Sequence, residues 1–211
     1  MFYIIFLSLF TIGTVFLVED DSLSLEDYIK SKGYQITEGH SHQKNTGQVE
    51  FFKTLLKDNS YIRLIGEVGF NAGHSSEAFL KANEDFKVIS FDIVDHDYTL
   101  IGKEYIDFKY PNRHRLIPGN SLKSIPNFSK RNPDIVFDLI FIDGGHQYHI
   151  AKRDIFNFKP LATKNTIVLI DDYNHPEVKK AIRTSIDEKI ILKGKVVCEK
   201  GRKMYQCKYL F

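Results

Sequence analysis

A chain of 211 residues has room for one domain with a well-buried core and too little for two comfortable ones. Its 43% hydrophobic and 27% charged residues exclude a disordered chain, and a net charge of +2 gives no general attraction for nucleic acid. Two cysteines, Cys198 and Cys207, are too few for a disulfide framework and do not resemble a zinc site.

The N-terminus differs from the rest. Phe2 to Val18 carries no charge, is apolar on every side and stops at Glu19, Asp20 and Asp21. Its length is at the short end for a membrane span and the long end for a signal-peptide core. No basic residue precedes it and no small-x-small cleavage site follows. Residues 1–21 therefore read as a hydrophobic helix serving as an anchor or signal segment, with one domain over 22–211. An anchor is favoured, which makes the protein membrane-associated through a single pass, with a secreted form as the alternative. Lys30, Lys32 and Lys44 follow the segment, so the positive-inside rule sets the domain on the cytosolic side.

Ser24 can cap a short helix through Ser31, with Glu26 and Asp27 in its first turn. Residues 32–46 read as a loop, and Gln48 to Leu56 as a helix on the spacing of Val49, Phe52, Leu55 and Leu56. Strands are expected at Tyr61–Ile65, Lys87–Ile93, Leu116–Pro118, Phe137–Ile142 and Thr166–Ile170. Helices are expected at Ala72–Ala82, Gln147–Phe158 and from Pro176, at a first helical position, to Asp187. Two β runs, Ile190–Cys198 and Met204–Leu210, close the chain around Gly201. A turn there does not set Cys198 opposite Cys207, so two free thiols are expected, although a turn shifted by one or two residues would pair them.

Near-continuous apolar strands alternating with helices define an α/β class. The expected fold is a Rossmann-like, doubly wound, mostly parallel sheet with an antiparallel C-terminal edge hairpin. That exposed edge offers a route to a homo-oligomer. Ligands of such sheets bind at the carboxyl ends of the strands, so residues just after a strand are the candidates for function.

Four such places stand out. Gly66-Glu67-Val68-Gly69-Phe70-Asn71-Ala72-Gly73 follows the first strand. Its glycines permit a tight turn and close backbone approach, and the next helix offers free N–H groups. It lacks the G-x-G-x-x-G of a dinucleotide site, and an acid at Glu67 suits a cationic or amine-bearing ligand. A plain glycine-rich turn is the alternative. Asp92 ends the second strand, where a carboxylate can accept ribose hydroxyls or simply cap the strand, with Asp95 and Asp97 as rivals. Gly119-Asn120-Ser121 can contact an adenine or cap the next helix.

The last place is the most specific. Phe137–Ile142 runs into Asp143-Gly144-Gly145-His146, and Thr166–Ile170 runs into Asp171-Asp172-Tyr173. Adjacent parallel strands would bring Asp143, Asp171 and Asp172 together, and like charges that converge favour a hard cation such as Mg²⁺. Helix capping and loop solvation are the plainer account. His146, on the same loop, is a general base in reach of such a site, with His74, His149 and His175 as rivals.

In this order E-V-G-F-N-A-G, F-D-I, G-N-S, D-L-I-F-I-D-G-G-H-Q-Y and I-V-L-I-D-D-Y resemble the class I S-adenosylmethionine-dependent methyltransferases. Within that class the chain looks most like the metal-dependent O-methyltransferases of the catechol and macrocin kind, over about Gly47 to Phe211. The resemblance implies that Glu67, Gly69, Phe70, Asn71 and Gly73 form the cofactor loop and that Asp92 binds the ribose. It sets Asn120 and Ser121 near the adenine, with Asp143 at the same cofactor. It makes Asp143, Asp171 and Asp172 ligands of Mg²⁺ or another divalent cation, and His146 the base. It also lays the helix after Thr46-Gly47-Gln48 over the cofactor. The implied reaction moves a methyl group to a hydroxyl of a small molecule or sugar. The alternatives are another chemistry on the same fold, against which the missing G-x-G-x-x-G counts for an oxidoreductase, and a membrane-tethered binding module without turnover.

Overall fold

Residues 23–38, 46–198 and 202–211 are described by the computed structural model. Residues 2–18, read above as a hydrophobic helix, lie outside that range. The expected membrane association is corrected. No helix among the described residues is long and apolar enough to cross a membrane.

The apolar runs form one seven-stranded sheet in the order β3-β2-β1-β4-β5-β7-β6. Its strands are β1 (Leu64–Val68), β2 (Lys87–Asp92), β3 (His114–Pro118), β4 (Leu139–Ile142), β5 (Ile167–Ile170), β6 (Lys195–Val197) and β7 (Met204–Cys207). The first five pair in parallel, while β7 runs antiparallel to β5 and carries β6 at the edge. The doubly wound sheet and its antiparallel closing hairpin are thus as expected. Both cysteines are thiols, joined in no disulfide. The hairpin registers Val197 against Met204, and Cys207 faces Val168 of β5 instead of Cys198.

Alternate residues of the central strands supply two cores, the period-two consequence of a sheet covered on both faces. Leu139 and Phe141 of β4, with Ile167 and Leu169 of β5, pack towards α1 (Leu25–Ser31), α2 (Thr46–Asp58), α3 (His74–Ala82) and α4 (Asp97–Lys109). Ile140, Ile142, Val168 and Ile170 pack towards α5 (Ser121–Arg131), α6 (Tyr148–Phe158) and α7 (Pro176–Asp187). Ser24 caps α1 as expected, its Oγ accepting from the Asp27 N–H at 3.2 Å.

Three differences from the sequence reading have physical causes. The first strand lies three residues later than Tyr61–Ile65, because Glu67 is inside β1 and not in the loop beyond it. Helix α4 shows no apolar period: its buried face is Tyr98, Thr99, Gly102, Tyr105 and Ile106, only one of them aliphatic. Helix α5 contains Pro126 and buries only Ile125 and Phe128.

Candidate active site

The order of strands reverses between β1 and β4, and that switch point fixes the cleft. The first residues beyond the strands continue the ladder. Gly69 N–H bonds the Phe91 carbonyl, Asp143 N–H the Val68 carbonyl and Asp171 N–H the Ile142 carbonyl, each at 2.9 Å. Gly69, Asp143 and Asp171 are thereby held at one level along the top of the sheet. A cleft of about 550 Å³ opens there.

On the β1–β2 side the backbone is shaped around Gly69, whose φ is +96°. A Cβ at Gly69 would lie 1.9 Å from the Asp143 carbonyl oxygen, so only glycine lets β1 and β4 end this close together. Asp92 ties the same loop to β2. Its Oδ2 accepts from the Asn71 N–H at 2.9 Å and its Oδ1 from the Val94 N–H at 2.7 Å. Asn71 has a φ of +52°, and its buried Oδ1 has no partner among the described residues. Asn120 caps α5 through the Leu122 N–H at 2.9 Å.

On the β4–β5 side the expected convergence of carboxylates is present, with an addition. The Arg202 guanidinium lies among them. Its Nε donates to Asp172 Oδ1 at 3.0 Å and its Nη2 to Asp172 Oδ2 at 2.6 Å. Its Nη1 is 3.7 Å from Asp171 Oδ2 and 4.0 Å from Asp143 Oδ2. His146 Nε2 is 2.7 Å from Asp172 Oδ2. Asp171 also accepts from Gln48 Nε2 at 3.0 Å, which joins α2 to the cluster. Burial, then mutual repulsion, pushes Asp143 well up, and Arg202 pulls against it. Burial likewise raises Asp171, again opposed by Arg202. Burial works against the charge on Arg202, yet Asp143, Asp171 and Asp172 together hold its pKa above the usual value.

The sequence-derived residues divide between the cleft wall and its support. Gly69, Phe70, Asn71, Asp92, Asn120, Ser121, Asp143 and His146 line the cleft. Gly73 is the N-cap of α3, and Asp171 is buried behind the wall. Glu67 is fully buried away from the wall. Its carboxylate accepts from Ser75, from Ser76 at 2.5 Å and from Ser90 at 2.5 Å. Ser90 in turn meets His114 Nε2 at 2.9 Å. Burial raises Glu67, against the pull of the three hydroxyls, and drives His114 down to about 3. Of the rival histidines, His74 pairs with Glu26 at 2.9 Å, His149 is exposed, and the His175 ring lies 5.2 Å from that of His146.

Two residues were missed. Arg202 follows no strand of the parallel set, and nothing in its spacing links it to Asp172, thirty positions earlier. Asp154, fully buried on α6, has no hydrogen-bond partner for either oxygen among the described residues. Burial raises it to about 7, opposed only by the nearby Ser121 hydroxyl. Its place on the inner face of an amphipathic helix was the available signal.

A family described as a methyltransferase domain matches residues 67–173. That span is just over half of the chain and runs from Glu67 through both acidic loops, and the chain belongs to this methyltransferase family. By family and fold it is a class I S-adenosylmethionine-dependent methyltransferase. Among solved structures it is similar to the O-methyltransferase from Bacillus cereus in complex with S-adenosylhomocysteine. That match has a TM-score of 0.67 and 16% identity over 93% of this chain and 94% of that one. The O-methyltransferase NovP matches with a TM-score of 0.64 and 14% identity over 88% of each chain. A TDP-rhamnose 3′-O-methyltransferase of calicheamicin biosynthesis matches with a TM-score of 0.64 and 20% identity, over 77% of this chain and 79% of that one. At such identities these likenesses concern the fold. No curated protein matches the chain.

Proposed function

We propose that residues 22–211 form one catalytic unit that transfers a methyl group from S-adenosylmethionine to a hydroxyl of a small molecule or sugar. The observation that carries this reading is the position of His146. It stands beside Asp172 on the wall of the same cleft that Gly69, Asn71 and Asp92 enclose. Three solved structures of this fold bear the name O-methyltransferase, which supports a hydroxyl as the acceptor.

The cleft suits the cofactor on its own features. The close approach at Gly69 keeps the loop free of side-chain bulk, and the orphaned Asn71 Oδ1 is an acceptor in want of a donor. Asp92 keeps lone pairs for the ribose after its two backbone bonds. Asn120 and Ser121 border the adenine end. Bound S-adenosylmethionine supplies an electrophilic methyl group on a sulfonium sulfur. The protein's part is to hold the acceptor oxygen in line with that carbon and to receive its proton on the His146 imidazole. The Asp172 carboxylate favours the positive charge the ring then carries.

A divalent ion at the acidic cluster would draw on side chains of this same cleft. Asp143, His146 and Asp172 offer ligand atoms within 4.8 Å of one another. However, the Arg202 fork occupies both oxygens of Asp172 and lies between the three carboxylates. A dication would have to share those oxygens with a guanidinium, so no step is assigned to a metal.

The test is calorimetric titration of the chain with S-adenosylhomocysteine, with NAD as control, followed by methyl-transfer assays on catechols and nucleotide sugars. Saturable binding of the first and none of the second is expected, and His146→Ala should lower turnover while leaving that affinity within about twofold. Preference for NAD, or full turnover by His146→Ala, overturns the reading.

A further inference from the structure

We infer that Arg202 is the resident cation of this cleft: its guanidinium takes the place a divalent ion would have among Asp143, Asp171 and Asp172, and methyl transfer here needs no metal. The catalytic clause rests on the methyl-transfer reading above, while the exclusion of a metal ion does not.

The contact is built rather than incidental. Arg202 precedes β7, and the carbonyl of the next residue, Lys203, accepts from the Tyr173 N–H at 2.9 Å. Tyr173 stacks on Tyr205 of β7, with centroids 5.4 Å apart and planes 13° apart. The backbone on both sides of the ion pair is therefore fixed. Asp172 itself has a φ of +52°, and its carbonyl accepts from the His175 N–H at 2.7 Å. A left-handed residue after a strand turns the chain sharply there. The fork then meets Asp172 through two parallel bonds, the arrangement in which arginine is strongest and lysine cannot substitute.

Charge makes the two cations alternatives. Three carboxylates in a partly buried cluster demand compensation, and the guanidinium gives it to all three from one position. A dication inserted beside it would meet a like charge within a few ångströms in a poorly screened site. The position also serves the chemistry. Arg202 is on the wall of the cleft with His146. As the acceptor hydroxyl gives its proton to His146, negative charge grows on its oxygen. That oxygen's lone pair forms the bond to the methyl carbon while the carbon–sulfur pair returns to sulfur. A fixed guanidinium steadies the growing charge without reorganising.

The decisive experiment uses Mn²⁺ as the probe on the full chain, following the free-ion electron paramagnetic resonance signal, alongside titration with S-adenosylhomocysteine in EDTA. The wild type should leave the Mn²⁺ signal undiminished through the millimolar range. Arg202→Met should create a saturable Mn²⁺ site that Asp172→Asn, added to it, abolishes. Saturable Mn²⁺ binding by the wild type in the millimolar range or below overturns the inference. The wild-type titration decides alone if the variant does not fold. Failure to bind S-adenosylhomocysteine would instead count against the methyl-transfer reading and leave the Mn²⁺ comparison standing.

Discussion

Gly69 and Asp143 approach so closely that one methyl group on Gly69 would sit 1.9 Å from the Asp143 carbonyl oxygen. The two residues end neighbouring strands, β1 and β4, at the switch point of the sheet. Their contact joins the two halves of the cleft, the loop that would hold the cofactor and the acidic cluster beside it.

Gly69→Ala should therefore damage stability and binding together. The substitution adds a clash with backbone and places an L-residue at a φ of +96°. We expect a loss of about 2–4 kcal/mol in chemical denaturation, with weakened S-adenosylhomocysteine affinity in whatever remains folded. A stability unchanged from wild type would show that β1 and β4 can move apart at no cost.

Asp154 gives a pH dependence of definite sign. Its folded pKa, about 7, lies above the ordinary carboxylate range because of burial, which the nearby Ser121 hydroxyl only partly opposes. The folded protein then holds a proton that the unfolded chain releases. The contribution to stability is fully present below the unfolded pKa and is lost as the pH rises through about 7. Asp154→Asn should stabilise the protein by about 4 kcal/mol near pH 8 and by less than about 1 kcal/mol near pH 4. An equal effect at both pH values in thermal unfolding would remove ionisation as the cause.

His114 titrates the other way. Its folded pKa, driven by burial to about 3, lies below that of an unfolded imidazole, so the unfolded chain takes up a proton that the native core refuses. Its contribution is present above about pH 6.5 and is lost as the pH falls towards 3, by at most about 1.4 kcal/mol per unit. In His114→Asn that slope should flatten, whatever the variant's overall stability. The remaining acids, apart from Glu67, which meets His114 through Ser90, are common to both proteins and cancel in the difference. Identical slopes would place the acid sensitivity elsewhere.

Much of this molecule was legible in one dimension. Strings such as Leu139–Ile142 and Ile167–Ile170 are apolar at every position, which only a sheet covered on both faces accommodates. The residues after them, Asp143 and Asp171, were then bound to share one end of the sheet. Helix α4 escaped notice because tyrosine, threonine and glycine can fill an inner face without an aliphatic stripe. Glu67 reads as a loop residue because the apolar run ends at Ile65, and the three serine hydroxyls that make its burial tolerable come from α3 and β2.

The sequence by itself determined a mostly parallel sheet covered on both faces, its antiparallel closing hairpin, and the glycine and aspartate loops at its carboxyl edge. Those features follow from local rules: side-chain period, turn chemistry and the handedness of β–α–β connections. What only the tertiary structure decided is which charges meet. Arg202 reaches Asp172 because β7 folds back antiparallel onto β5, and Asp154 loses its water because α6 presses it against the sheet. Electrostatic partnership and desolvation depend on distance in space, and a separation of thirty residues along the chain carries no trace of either.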